Sequence, residues 1–162
     1  MRTILLFAFL VLNLGCASAH VEERYINYVD LYSGKTSSFN VTKQQFSVGD
    51  VLVRWTECLS PEVCFDSGDY GFEFYLSGNI DLKKGLEWRS NRFSYSLKET
   101  IEISPYGKVS IISSVQEELP MIFLWSSSHG LIAFGTEKSQ HSKETMFLLS
   151  NSVHGLLKSS SE

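Results

Sequence analysis

Apolar and polar side chains take turns along much of this chain, and that period of two limits its possible folds more than any other feature. In Arg92-Phe93-Ser94-Tyr95-Ser96-Leu97, Phe93, Tyr95 and Leu97 fall on one side and polar residues on the other. That is the pattern of a strand with one buried and one wet face. No long stretch repeats its apolar positions at the helical spacing, so the class predicted is all-β.

Other segments extend the pattern. Residues 51–55 are β-branched and aromatic and follow the turn Val48-Gly49-Asp50. Residues 70–76 put Tyr70, Phe72, Phe74 and Leu76 on one face. Segments 101–103 and 109–111 flank Ser104-Pro105-Tyr106-Gly107-Lys108, a turn whose proline and glycine predict a hairpin. The continuous apolar runs at 121–125 and 131–134 read as central strands buried on both faces and joined by a hairpin. A last strand is predicted at 146–149. Segments 25–32 and 38–42 carry weaker signals, and the first also fits a short helix. Together these make about nine strands, the pattern of an antiparallel β-sandwich or jelly roll, with a β-barrel as the alternative. Strand order cannot be read from the pattern.

The N-terminus predicts export. Met1 and Arg2 precede an apolar run over 4–14 and the small residues Ala17-Ser18-Ala19, the layout of a signal peptide over 1–19. The run is too short to cross a bilayer core of roughly 30 Å, which takes about 20 apolar residues in a helix. No second run follows, so no membrane anchor is expected. Gly15-Cys16 offers a competing lipoprotein ending, and cleavage after Ala17 is an alternative to Ala19. The expected organisation is one domain over 20–158, long enough to close its own core, and a disordered tail over 159–162.

Cysteine and charge agree with an extracellular life. Of three cysteines, Cys16 goes with the signal, which leaves Cys58 and Cys64 as a disulfide pair around Pro61. The net charge is −4, one unit more negative without Arg2, and the charges are scattered. No basic face is available for nucleic acid. Asn40-Val41-Thr42 is an N-glycosylation sequon, which needs the Asn40 side chain in solvent.

The residues that could carry chemistry are few. Trp88 lies between Lys83-Lys84-Gly85 and Arg89-Ser90, so it either covers the edge of the core, the preferred reading, or leaves its ring partly exposed. With Arg89 and Arg92 it could stack on a sugar or anchor a protein. Cleavage after Ala19 would make His20 the first residue, whose α-amine and ring can chelate copper if a second histidine joins them. His129, in the predicted hairpin loop, is the preferred partner over His141 and His154. Asp66-Ser67-Gly68-Asp69 could hold calcium or simply form a turn. There is no Gly-x-Ser-x-Gly elbow and no phosphate-cradling glycine loop. Glu117 and Glu118 are adjacent, and in an extended segment they would point opposite ways.

The segment Phe123-Leu124-Trp125-Ser126-Ser127-Ser128-His129-Gly130-Leu131-Ile132-Ala133-Phe134-Gly135, followed by Met146-Phe147-Leu148-Leu149, resembles the end of the invertebrate extracellular domain named after farnesoic acid O-methyltransferase. The resemblance implies a β-sandwich binding module. Nothing in the chain resembles a methyl-donor site, so no methyltransferase is implied. The preferred expectation is a secreted, non-enzymatic module that recognises a glycan or an extracellular protein and needs no cofactor. The alternatives are a copper enzyme built on His20 and a structural or secretion component without a discrete site. Oligomeric state is not legible.

Overall fold

The computed structural model describes residues 22–48, 50–58, 62–68, 72–77, 80–139, 143–150, 152 and 154–157. Over these the chain is all-β, with no α-helix. Its strands are β1 (Tyr25–Asp30), β2 (Thr36–Asn40), β3 (Gln45–Val48), β4 (Val51–Arg54), β5 (Thr56–Glu57), β6 (Val63–Asp66) and β7 (Glu73–Leu76). They continue with β8 (Glu87–Arg89), β9 (Ser94–Ile103), β10 (Gly107–Gln116), β11 (Leu119–Ser126), β12 (Gly130–Thr136) and β13 (Thr145–Leu149).

Ten strands form one sheet in the order β4-β3-β2-β1-β13-β12-β11-β10-β9-β8, and β5-β6-β7 form a second. Every pairing is antiparallel. The large sheet does not close on itself: β4 and β8 are its edges, so the architecture is the sandwich and not the barrel. The first and last strands lie side by side, with Tyr28 opposite Leu149.

The described residues hold 13 strands where the pattern predicts about nine. Residues 94–97 of the first segment and 101–103 belong to one strand, β9, which Arg92 and Phe93 precede. Ile111 faces Glu99 while Ile112 faces Leu97, so Lys98 is an extra residue in a bulge, and the alternation slips there without a break in pairing. β3, β5, β6 and β8 are two to four residues long, too short to show a period of their own. Segment 25–32 is a strand that ends at Asp30, not a helix. Of the two runs expected to be buried on both faces, only β12 is. All residues from Gly130 through Gly135 are buried, while β11 alternates.

The small sheet rests on the large one through aromatic rings. Phe65 of β6 lies 4.8 Å from Trp55, 5.8 Å from both Phe39 and Phe46, and 5.1 Å from Phe72. Phe72 and Phe74 reach Phe123 at 5.8 and 5.2 Å. Tilted and edge contacts of this kind contribute about 0.5–1.5 kcal/mol each beyond the area they bury.

A polar joint runs beside them. The Gln116 side chain accepts from the Glu73 N–H at 2.9 Å and donates to the Glu73 carbonyl at 2.5 Å. Tyr95 donates to the Glu73 carboxylate at 2.8 Å. The hairpin that carries Gln116 turns on Glu117 and Glu118, with φ of 49° and 69°, a two-residue turn that needs positive φ at both positions.

The C-terminal segment folds back onto the start of β12. Gly155 N–H donates to the His129 carbonyl at 2.7 Å and Leu131 N–H to the Leu156 carbonyl at 2.8 Å. The buried Tyr28 hydroxyl donates to the Leu131 carbonyl at 2.6 Å and accepts from Leu156 N–H at 2.9 Å. This seals one end of the sandwich, and the other features of interest lie where β6–β7 meet β8–β9.

Candidate functional site

A pocket of about 390 Å³ opens beside the small sheet, between β6–β7 and the turn from β8 into β9. Cys58 and Cys64 are bonded, as their spacing predicts, with Cα atoms 5.2 Å apart. The bridge ties the end of β5 to β6 and forms one wall. Tyr75 on β7 donates to Glu62 at 2.9 Å beside it.

Pairing of β6 with β7 sets Asp66 directly opposite Glu73, and both line the pocket. Like charges opposite one another on a sheet are destabilising, and the surroundings offset this one. Arg92 Nη1 lies 3.1 Å from Asp66 Oδ1 and donates to the Gly68 carbonyl at 3.0 Å. Its Nη2 is 3.7 Å from Glu117, and its guanidinium lies over the Phe93 ring at 5.0 Å. Glu73 is 5 % exposed, and its Oε1 accepts from Tyr95. Burial, and then the neighbouring Glu73 carboxylate, push the Tyr95 hydroxyl far above the usual phenol range, so it stays a donor at every physiological pH. The second carboxylate oxygen of Glu73 has no protein partner among the described residues.

Arg89 lies on the rim, exposed, and its guanidinium makes no hydrogen bond or ion pair among the described residues. Among the described residues, the pocket therefore presents a cation held by Asp66, a cation without a partner and a buried carboxylate with one oxygen unbonded. Such charged groups make the stronger class of hydrogen bonds.

Of the three residues expected to meet a ligand, Arg89 and Arg92 line this pocket and Trp88 does not. Trp88 is 9 % exposed, so it covers the edge of the core and its ring is not open. It stacks on Tyr95 with centroids 5.7 Å apart and donates to the Tyr75 carbonyl at 2.8 Å. Its polar sequence neighbours flank a three-residue edge strand, and only the residue between them turns inward.

Asn40 also departs from expectation. It is 7 % exposed, donates to Glu23 at 2.9 Å and accepts from Lys43 N–H at 3.0 Å, so the nitrogen that would carry a sugar is covered and engaged by a surface carboxylate.

His20 lies outside the described residues, as do His141 and Asp69. His129 sits in the β11–β12 turn, with Nδ1 2.8 Å from Ser128 Oγ, and its ring is 5.3 Å from that of His154. Among the described residues no three histidine, cysteine or acidic side chains gather into a metal-binding set. Asp66, half of the calcium reading, is held by Arg92 and by the Gly68 N–H at 2.8 Å. Glu117 and Glu118 sit at a hairpin tip, not in an extended segment.

Glu62, Glu73 and Tyr75 were not singled out by the sequence. Alternation in 70–76 sets Glu73 and Tyr75 opposite the inward Phe72 and Phe74; Glu73 is buried and Tyr75 half-buried, and both line the pocket. Comparison with family models, curated proteins and solved structures finds no match for this chain.

Proposed function

We propose that this chain is a non-catalytic recognition module of the extracellular space whose pocket beside Cys58–Cys64 binds a glycan. The observation that carries the reading is that Arg89 and Glu73 line one space of about 390 Å³, where among the described residues the Arg89 guanidinium and one Glu73 carboxylate oxygen have no partner. A sugar hydroxyl both donates and accepts, so neighbouring hydroxyls on one ring satisfy a carboxylate and a guanidinium together. The volume lies within the roughly 300–1,000 Å³ of small-molecule sites. Opposed carboxylates at Asp66 and Glu73, which this strand pair holds only with Arg92 and Tyr95 beside them, support a role in binding. The signal-like N-terminus, the disulfide and the resemblance of the C-terminal hairpin to an extracellular domain support the compartment.

The test is a glycan array with the processed protein, followed by calorimetry on the best ligand. Arg89→Ala and Glu73→Gln should each weaken binding by about tenfold, the loss of one charge-assisted bond. Mass analysis should recover the glycan unaltered. A protein that binds no sugar, or binds equally well after both substitutions, would falsify the proposal.

A further inference from the structure

A second pocket, of about 230 Å³, lies between the β10–β11 hairpin and strands β12 and β13. Its chemistry is the reverse of the first. Phe72, Phe134 and Phe147 line it, with Phe147 stacked on Phe134 at 5.4 Å and Phe72 5.1 Å from Phe134. Met121 and Leu119 complete the apolar wall. Phe72 and Phe147 are only partly buried, although each could be covered by the molecule's own core.

The polar groups in the lining are already engaged. Both ends of the Gln116 amide are bonded to Glu73. Thr136 Oγ1 donates to the Lys143 carbonyl at 2.7 Å, Thr136 N–H donates to Thr145 Oγ1 at 3.1 Å, and the two hydroxyl oxygens lie 2.9 Å apart. The Glu117 carboxylate faces Arg92 at 3.7 Å. Apart from the exposed Glu117 carboxylate at the rim, a charged or hydroxyl-rich guest would give up its hydration and meet no fresh partner, a net loss. An uncharged apolar guest loses nothing and covers two aromatic rings.

We infer that this pocket is a binding site for a small, uncharged aromatic or branched hydrocarbon molecule, separate from the polar pocket. Its volume falls below the range of roughly 300–1,000 Å³ that takes drug-sized ligands, so the guest is smaller than a drug-sized molecule. A helix or strand of a partner is far too wide to enter, since a helix with its side chains is about 10 Å across.

Indole and glucose serve as probes, followed by saturation-transfer NMR and calorimetry on the full processed chain. Indole should bind and glucose should not compete with it. Leu119→Trp, which fills the mouth from a partly exposed position, should weaken indole at least tenfold with an unchanged unfolding midpoint. Arg89→Ala should leave indole binding as it was. Should Leu119→Trp fail to fold, Phe147→Ala replaces it, with a change in affinity of at least fivefold expected. The inference is overturned by no transfer to indole up to its solubility limit, by equal affinity in the folded variant, or by loss of indole binding in Arg89→Ala. It is also overturned if the protein dimerises in sedimentation and binds no indole, since a second copy would then fill the space.

Discussion

The side-chain amide of Gln116 hydrogen-bonds both backbone polar groups of one residue, Glu73, at 2.9 Å to the N–H and 2.5 Å to the carbonyl. It acts as an extra rung between the large sheet and the small one, where strand cannot pair with strand. Gln116→Ala removes both bonds and leaves two backbone groups unsatisfied, in a position where Gln116 itself is 2 % exposed. The expected loss is about 2–4 kcal/mol in urea unfolding. An unchanged midpoint would show that the two sheets hold together without this joint.

Tyr28 closes the opposite end. Its hydroxyl serves the Leu131 carbonyl and the Leu156 N–H at once, and the residue has no exposed surface. Tyr28→Phe keeps the ring and should cost about 1–3 kcal/mol. Hydrogen exchange at Leu156 should speed up while β3 and β4 keep their protection. A uniform change across all strands would contradict a local clamp.

Two glycines are present because backbone passes where a side chain would be. A Cβ on Gly155 would lie 1.8 Å from the Leu131 carbonyl oxygen, and one on Gly135 would lie 2.0 Å from that of Thr145. Gly135→Ala must push β13 away from β12 and should cost about 1–3 kcal/mol, the usual toll of overpacking. Calorimetric unfolding of the alanine variant at wild-type stability would refute the close approach.

The β10–β11 turn carries the opposite expectation. Glu118 has φ of 69°, a conformation that costs an L-residue roughly 1–2 kcal/mol. Glu118→Gly relieves it and should raise stability by about 1 kcal/mol, with Glu117 still beside Arg92. Destabilisation in thermal melts would mean that the Glu118 side chain makes a contact worth more than the strain.

Acid should weaken the fold in a defined window. The hydrogen-bonded Lys43 ammonium, then the Tyr25 hydroxyl, hold the Glu23 carboxyl at about 2, against an ordinary 4.5. Burial opposes the charge of Asp30, but hydrogen bonds from Ser33 Oγ and from the backbone N–H groups of Tyr32 and Met146 together hold it below its ordinary range. Both groups bind protons less readily when folded, so their stabilisation is complete above the unfolded values and is lost as pH falls through the folded ones. The melting temperature should therefore drop from about pH 4.5 toward pH 2, and Asp30→Asn should make that drop shallower. Glu23 is exposed, so added salt should blunt its share. A melting temperature that holds steady over this interval would contradict the assignment.

The class of fold was legible because burial on one face leaves its mark in every strand long enough to alternate: Phe93, Tyr95 and Leu97 did so, and the hairpin around Ser126–Gly130 did so through its flanking apolar runs. The short strands β5 and β8 were not, since their place comes from neighbours in the sheet. For the site, the sequence pointed to Arg89 and Arg92 through their closeness to Trp88, yet the tryptophan itself is a core residue. Glu73 was invisible for a different reason. Its burial is conferred by Gln116 and Tyr95, which lie 43 and 22 positions along the chain. Asn40 reads as a sequon over three residues, while the group that engages its nitrogen is Glu23, 17 positions earlier.

The neighbouring placement of β1 and β13 bears on how the chain comes to be made. During synthesis the strand that begins at Tyr25 has one partner soon and the other only after Leu149 has emerged, so the large sheet waits as two separate halves. Until then β1 and β12 are bare rims, and β12 is the strand whose residues from Gly130 through Gly135 are all buried once the fold is complete. Pairings this far apart form slowly, so a chain that stalls before Thr145 offers an open template to its neighbours.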